Sequence, residues 1–230
     1  MIGNDIVDLL DADAQATERT PAFDARVFTQ GERERIFAAA DGVRARWLMW
    51  AAKEAAYKLA RKRDGDLSFS PRRFEVGAWT VVDAPGRPGT RLEGHVRAEE
   101  LILDCEWISE PGFVHALCRL PGTPPPQCMA IERIPVLDDP GEAVRRLAID
   151  EIAQTLGAAE NAFRIKKRGR IPFLWFRDRE AAADLSLSHH GSLVAFACRL
   201  DSGFESIEFP AQIAAVAAGH RTFLVDGVRT

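Results

Sequence analysis

No stretch of this 230-residue sequence approaches the run of about 18 apolar residues that a bilayer crossing needs. The richest, Trp47-Leu48-Met49-Trp50-Ala51-Ala52 and Leu193-Val194-Ala195-Phe196-Ala197-Cys198, are the size of core elements. A secretory leader is not expected either: Asp5, Asp8, Asp11, Asp13 and Glu18 precede the first base, Arg19, the reverse of the charge order such a signal carries. The protein is therefore read as cytoplasmic, with no membrane partner. Its four cysteines form no C-x-x-C pair and have no histidine at ligand spacing, so neither a zinc site nor a disulfide framework is indicated. Buried, reduced thiols are predicted. There is no excess of basic charge, since 30 Lys and Arg face 34 Asp and Glu for a net charge of −4, which argues against nucleic acid as a partner. With 47% of residues hydrophobic and only 17 Gly and 13 Pro, fibrous and disordered classes are excluded.

What is present is unevenly distributed. Nine bases and three acids lie between Arg44 and Arg73, and seven bases and two acids between Asn161 and Glu180. Two basic zones in an acidic chain suit a specific polyanionic ligand. The Pro-rich segment 121–128 reads as a linker, because consecutive prolines neither continue a helix nor pair inside a sheet. Across it the sequence repeats itself. Residues 114–120 match 194–200, residues 1–9 match 129–137, and residues 50–59 match 147–156, in the same order. A first half at 1–120, a second at 129–200 and an extension at 201–230 follow.

Each half reads as strand, helix and antiparallel strands, so the expected fold class is α+β, two similar halves related by a pseudo-twofold axis. Thr29-x-x-Glu32 is a capping box opening a helix to about residue 40, and a longer helix is predicted over 43–62. Strands are predicted near 72–83, 90–97, 100–108 and 112–120. In the second half Asp139-Pro140-Gly141-Glu142 launches a helix to about Leu156, followed by strands near 162–167, 171–176, 184–189 and 192–200. The tail beyond Asp201 reads as a strand and a small helix. In this alignment Asp5 faces Arg133, Lys58 faces Thr155 and His189 faces Ser109. Packing about the axis then gives one cross-half groove that holds Asp5, Glu54, Lys58 and His189, and another that holds remnants.

Glu54 and Lys58, spaced i, i+4, share a helix face. Alone, such a pair is a helix-stabilising ion pair worth a few tenths of a kcal/mol, about 0.3–0.5. Here, however, it follows an apolar run and is interleaved with Ala55, Ala56 and Leu59, where a divalent cation and a phosphate would satisfy both charges. Asp5 stands in the opening strand beside Gly3, which lets a ligand or backbone come close, and alternation puts Asp5 and Val7 on one face, Ile6 and Asp8 on the other. Ser188 and His189 end a strand at a Gly-containing turn; being adjacent, their side chains diverge, which suits phosphate contacts and not a nucleophilic triad. Lys166-Lys167-Arg168-Gly169-Arg170 reads as a solvated hairpin or a polyanion clamp.

Together, Gly3-Asn4-Asp5, Trp50-Ala51-Ala52-Lys53-Glu54-Ala55-Ala56-Tyr57-Lys58, Gly169-Arg170-Ile171-Pro172 and Ser188-His189 resemble the motifs of the 4'-phosphopantetheinyl transferases. The half bearing Ser-His follows the half bearing the acids, the reverse of the surfactin-synthetase-activating type. Asp5-Ile6-Val7-Asp8 is similar instead to the spacing in the short holo-acyl-carrier-protein synthases. The resemblance implies transfer of the phosphopantetheine arm of coenzyme A to a carrier-protein serine, with Asp5 and Glu54 holding Mg²⁺ and Glu54 and Lys58 catalytic. Lys58 would touch the phosphate under attack, and Glu54 or a metal-bound water would take the serine proton. Ser188 and His189 would grip coenzyme A phosphates, with Arg44, Arg46, Lys167 and Arg170 at the nucleotide end. The implied partner is an acidic acyl or peptidyl carrier protein, and the fused halves imply a monomer. The alternative is a non-catalytic relative that binds an acidic protein or a nucleotide.

Overall fold

The computed structural model describes residues 1–16, 20–82 and 89–201; the predicted elements of the tail lie outside them. The opening strand β1 (Ile2–Asp8) leads into α1 (Ala12–Gln15), α2 (Thr20–Val27), α3 (Gln30–Ala38) and the long α4 (Gly42–Arg63). Strands β2 (Phe74–Val82), β3 (Thr90–Ala98), β4 (Leu101–Glu110) and β5 (Phe113–Arg119) follow, and the sheet order is β1-β5-β4-β3-β2, antiparallel throughout. The second half opens with β6 (Cys128–Arg133) and α5 (Pro140–Leu156), then β7 (Phe163–Arg168), β8 (Ile171–Phe176), β9 (Arg179–Glu180), β10 (Ala183–His190) and β11 (Leu193–Leu200). These strands form two sheets, β10-β11-β6 and β7-β8-β9. The fold is α+β, as the pattern predicts.

Local signals account for the helices. Thr29 and Glu32 form the reciprocal capping box of α3. Asp41 caps α4 by accepting from the Arg44 N–H, and Arg61, Lys62 and Arg63 in its last turn complement the helix dipole. Asp139 caps α5, Pro140 fills its first turn and Gly157, at φ +60°, ends it in the left-handed conformation. The short α1 and α2 carry no strong apolar period and are not among the predicted elements.

Both halves place their opening strand beside their last strand, with the penultimate strand on the other side: β1-β5-β4 and β6-β11-β10. Ser109 pairs with Val114 as His189 pairs with Val194, and Asp104 with Arg119 as Asp184 with Arg199, so the match of Ser109 to His189 holds in register. The opening strands need a correction. Asp8 opposes Phe113 and Arg133 opposes Leu193, which sets Arg133 level with Asp8; Asp5 is level with Ala130, three residues from the alignment read off the sequence. The shift arises because two short apolar strands can be slid past each other without losing similarity, whereas their hydrogen-bonded partners cannot.

Equivalent positions meet between the halves. Ile6 and Phe113 share one apolar cluster with Leu193 and Ile131, and Leu117 lies with Ala197 in another. The Arg133 guanidinium donates to Asp8 at 3.1 Å. Beside this seam β1 offers its free edge to β10. The N–H groups of Ile2, Asn4 and Asp8 donate to Asp184 (2.6 Å), the Ser186 hydroxyl (2.9 Å) and His190 Nδ1 (3.2 Å). Each partner lies 182 positions downstream, so the strands run parallel and side chains replace the missing ladder. The four cysteines are buried and free.

Candidate functional site

The site begins with a close approach. A Cβ on Gly3 would lie 2.1 Å from the Ala55 carbonyl oxygen and 2.8 Å from the Leu59 nitrogen, so only glycine lets α4 lie this near β1. The close approach at Gly3 is therefore made by backbone. Two residues along the same face, Asp5 is 8% exposed and accepts from Lys58 Nζ at 2.8 Å, and Lys58 also donates to the Asn4 carbonyl at 3.0 Å. Burial pushes the Asp5 carboxyl above its usual range, against the pull of Lys58. Glu54, one turn earlier on α4, is pushed up to about 7 by burial and then by the Asp5 charge, with Lys58 opposing. Among the described residues its carboxylate has no hydrogen-bond or ion-pair partner.

The other wall comes from the second half. A cleft of about 180 Å³ is lined by Glu54, Lys58 and Arg61 of α4 and by Arg170, Pro172 and Leu187 across from them. Arg170 occupies the β7–β8 turn, where Gly169 takes φ +61°. His189 is exposed at the end of β10. Its pKa is lowered, first by partial burial and then by the Lys58 charge, while Asp5 and Asp139 pull it up, so its field comes from both halves. The acids of the first half and the imidazole of the second thus share one electrostatic neighbourhood.

Ser188, Arg44 and Arg46 are otherwise engaged. Ser188 turns inward, accepts from Asn4 Nδ2 at 3.1 Å and donates to the Ala195 carbonyl at 3.3 Å. Arg44 braces the β4–β5 turn through Ser109 (2.9 Å) and the Glu110 carbonyl. Arg46 makes two bonds to Asp24 of α2, at 2.8 and 3.0 Å. Lys167 is exposed on β7. Asp8 is saturated by Arg133, Leu10 and Ser192 and serves as a clasp between the halves.

Several residues have no local signal in the sequence. Lys53, between the apolar run and Glu54, is fully buried 2.8 Å from the equally buried Glu32 carboxylate, and it also donates to the Pro71 and Phe74 carbonyls. Glu32 in turn accepts from the Val76 N–H at 2.7 Å, so this pair pins α4 to α3 and β2. Asn4 reaches both His115 Nε2 (3.2 Å) and Ser188, and burial drives His115 down to about 3. Lys62 joins Asp184 of β10, tying α4 to the second half.

A divalent cation fits this chemistry. Glu54 is an unpartnered, partly buried carboxylate, and Asp5 lies close enough to raise its pKa, an arrangement a hard cation relieves. Among the described residues no cluster of three or more His, Cys, Asp or Glu is suited to a metal, so a cation would rest on two carboxylates and on ligand oxygens.

Comparison with known proteins adds the following. Residues 1–112 match the family model of the 4'-phosphopantetheinyl transferase superfamily. No curated protein sequence matches the chain. Among solved structures, a holo-[acyl-carrier-protein] synthase of Thermotoga maritima aligns over 78% of this chain and 83% of that one, at 16% identity and a TM-score of 0.33. No helix among the described residues is long and apolar enough to cross a membrane.

Proposed function

We propose, for a chain whose residues 1–112 match the family model of the 4'-phosphopantetheinyl transferase superfamily, that it moves the phosphopantetheine arm of coenzyme A onto a serine of an apo carrier protein and releases 3',5'-ADP. The observation that carries this reading is Glu54, a half-buried carboxylate with no partner among the described residues, set beside Asp5 and Lys58 in a cleft walled by both halves. In the reaction the serine oxygen forms a bond to the phosphorus bearing the arm. The bond from that phosphorus to the bridging oxygen breaks, and 3',5'-ADP leaves with the electron pair. Such a displacement gains most from positioning and charge neutralisation.

Lys58, held by Asp5 and the Asn4 carbonyl, presents its ammonium to the phosphate under attack. Glu54, a carboxylate lining the cleft, is the chain's own acceptor for the serine proton. Mg²⁺, held by Asp5 and Glu54, would supply charge neutralisation on the diphosphate. Arg170 and His189 face the ligand from the second half. Ser188 acts one step back, fixing β10 against Asn4.

Incubation with coenzyme A, Mg²⁺ and a panel of apo carrier proteins tests this. The carrier should gain the mass of the arm, and the gain should disappear with chelator. No mass gain on any carrier would favour the non-catalytic reading.

A further inference from the structure

The cleft uses only the tip of the β7–β8 hairpin. Along its length, alternation sends Phe163, Leu174 and Phe176 into the second core, and Arg164, Lys166, Phe173 and Trp175 to the opposite face. On that face Lys166 Nζ lies 3.4 Å above the Trp175 ring, and the Arg168 guanidinium lies 5.2 Å over Phe173. The two rings are 6.4 Å apart, edge to face. Arg164, Lys166 and Arg168 are exposed, and Glu180 lies 3.0 Å from Arg168.

Charge on an edge strand guards it against pairing with other chains, which accounts for the bases of β7. It does not account for a Trp and a Phe on the solvent side of β8. Aromatic residues with arginine are the composition that anchors protein interfaces. A partner's carboxylates would draw the Lys166 and Arg168 heads aside and leave the rings to be covered. The face ends at Arg170 and Ile171, which line the cleft.

We propose that this outer face of β7–β8 docks an acidic partner protein. On the reading of the cleft given above, that partner is the carrier protein, laid along the hairpin so that its serine enters at the Arg170 end. Seven of the 30 bases are gathered in residues 161–180 while the chain as a whole carries a net charge of −4, which favours a compact acidic partner over a long polyanion that the rest of the chain would repel.

The test pairs kinetics with cross-linking, using the full chain and an acidic apo carrier protein. Arg164→Glu with Lys166→Glu, and separately Trp175→Ala, should each raise the KM for the carrier about tenfold or more, with kcat and the KM for coenzyme A unchanged. Without coenzyme A, a carbodiimide should join the Lys166 amine to a carrier carboxylate as an amide, the water lost being taken up as urea, and peptide mapping should find that link. An unchanged carrier KM in both variants, or links that map only to Lys62 on the far wall, would overturn the proposal. So would a single-stranded oligonucleotide that displaces the carrier at lower concentration than the carrier itself binds. If no carrier receives the arm but the Lys166 link forms, docking stands and the transfer reading falls; if neither occurs, both fall.

Discussion

Asp5 on β1 and Ala130 on β6 stand at matching places in the two halves, as do Gly3 and Cys128, and Ser109 and His189. On the helices the sequence correspondence sets Glu54 and Lys58 of α4 against Glu151 and Thr155 of α5. In the first half a bare Gly3 admits α4, and Lys58 reaches an acid on the strand. In the second, Cys128 has a buried side chain at that place, part of the apolar cluster that includes Leu156 of α5. The Asp8–Arg133 pair shows what fusion permits. In a symmetric dimer a position near the axis meets its own copy, and like charges there repel. One chain can place opposite charges at the two equivalent positions, and it can also keep chemistry on one side of the axis alone.

The comparison breaks first at Glu54. Glu54→Gln should lower transfer about 10³-fold, because it removes charge from the place where charge develops. Its effect on stability runs the other way. The folded pKa of about 7 lies above the ordinary 4.5, so the folded protein holds the proton more tightly than the unfolded chain does. Stability from this group is full below pH 4.5, declines as pH rises to about 7, and beyond that is lower by about 3 kcal/mol. In chelator at pH 8, Glu54→Gln should therefore unfold at higher urea than the parent, and the two should converge near pH 4.5. Mg²⁺ should stabilise the parent at pH 8 and leave the variant unmoved. Full transfer by Glu54→Gln, or equal Mg²⁺ stabilisation of both, removes the carboxylate from the site.

Gly3→Ala sharpens the contrast with Cys128. The added methyl meets backbone of α4, which cannot rotate away, so helix and strand must separate. We expect a loss of about 1–3 kcal/mol in stability, and transfer to fall about 10²-fold as Lys58 is drawn from Asp5. Cys128→Ala, the reverse trim in the second half, should cost stability alone. Urea unfolding and transfer rates on both variants check this, and normal transfer by Gly3→Ala would mean that the close approach serves packing only.

The elements were legible because their signals are local: the Thr29 capping box, the Asp139-Pro140 start, the apolar period of α4 and the alternation of the strands. The Gly3–Asp5 face and the Glu54–Lys58 stripe were legible for the same reason. Partners chosen at a distance were not. Arg44 and Arg46 read as ligand bases because nothing near them in sequence shows Ser109 or Asp24 waiting in the fold. Lys53 and Glu32 look like surface charges until the fold buries them together. Ser188 could be assigned to the strand end, but its inward turn toward Asn4 depends on β1 lying beside β10.

The mildest test swaps His189 for the residue at its equivalent place, Ser109. His189 is exposed, and its pKa is held below the ordinary 6.5 by partial burial and by Lys58, so at pH 7.5 it meets the ligand as a neutral hydrogen-bond donor. A neutral hydrogen bond contributes about 1 kcal/mol net, which corresponds to about a fivefold change in affinity. His189→Ser should then raise the KM for coenzyme A several-fold at pH 7.5 and leave kcat within about twofold, since the hydroxyl keeps part of the bond and the residue does not touch the bond that breaks. As pH falls through the lowered pKa the parent imidazole gains charge and binds an anion more tightly, while serine does not, so the gap between the two should widen. A gap that stays constant with pH would leave His189 a neighbour of the cleft and not one of its ligand groups.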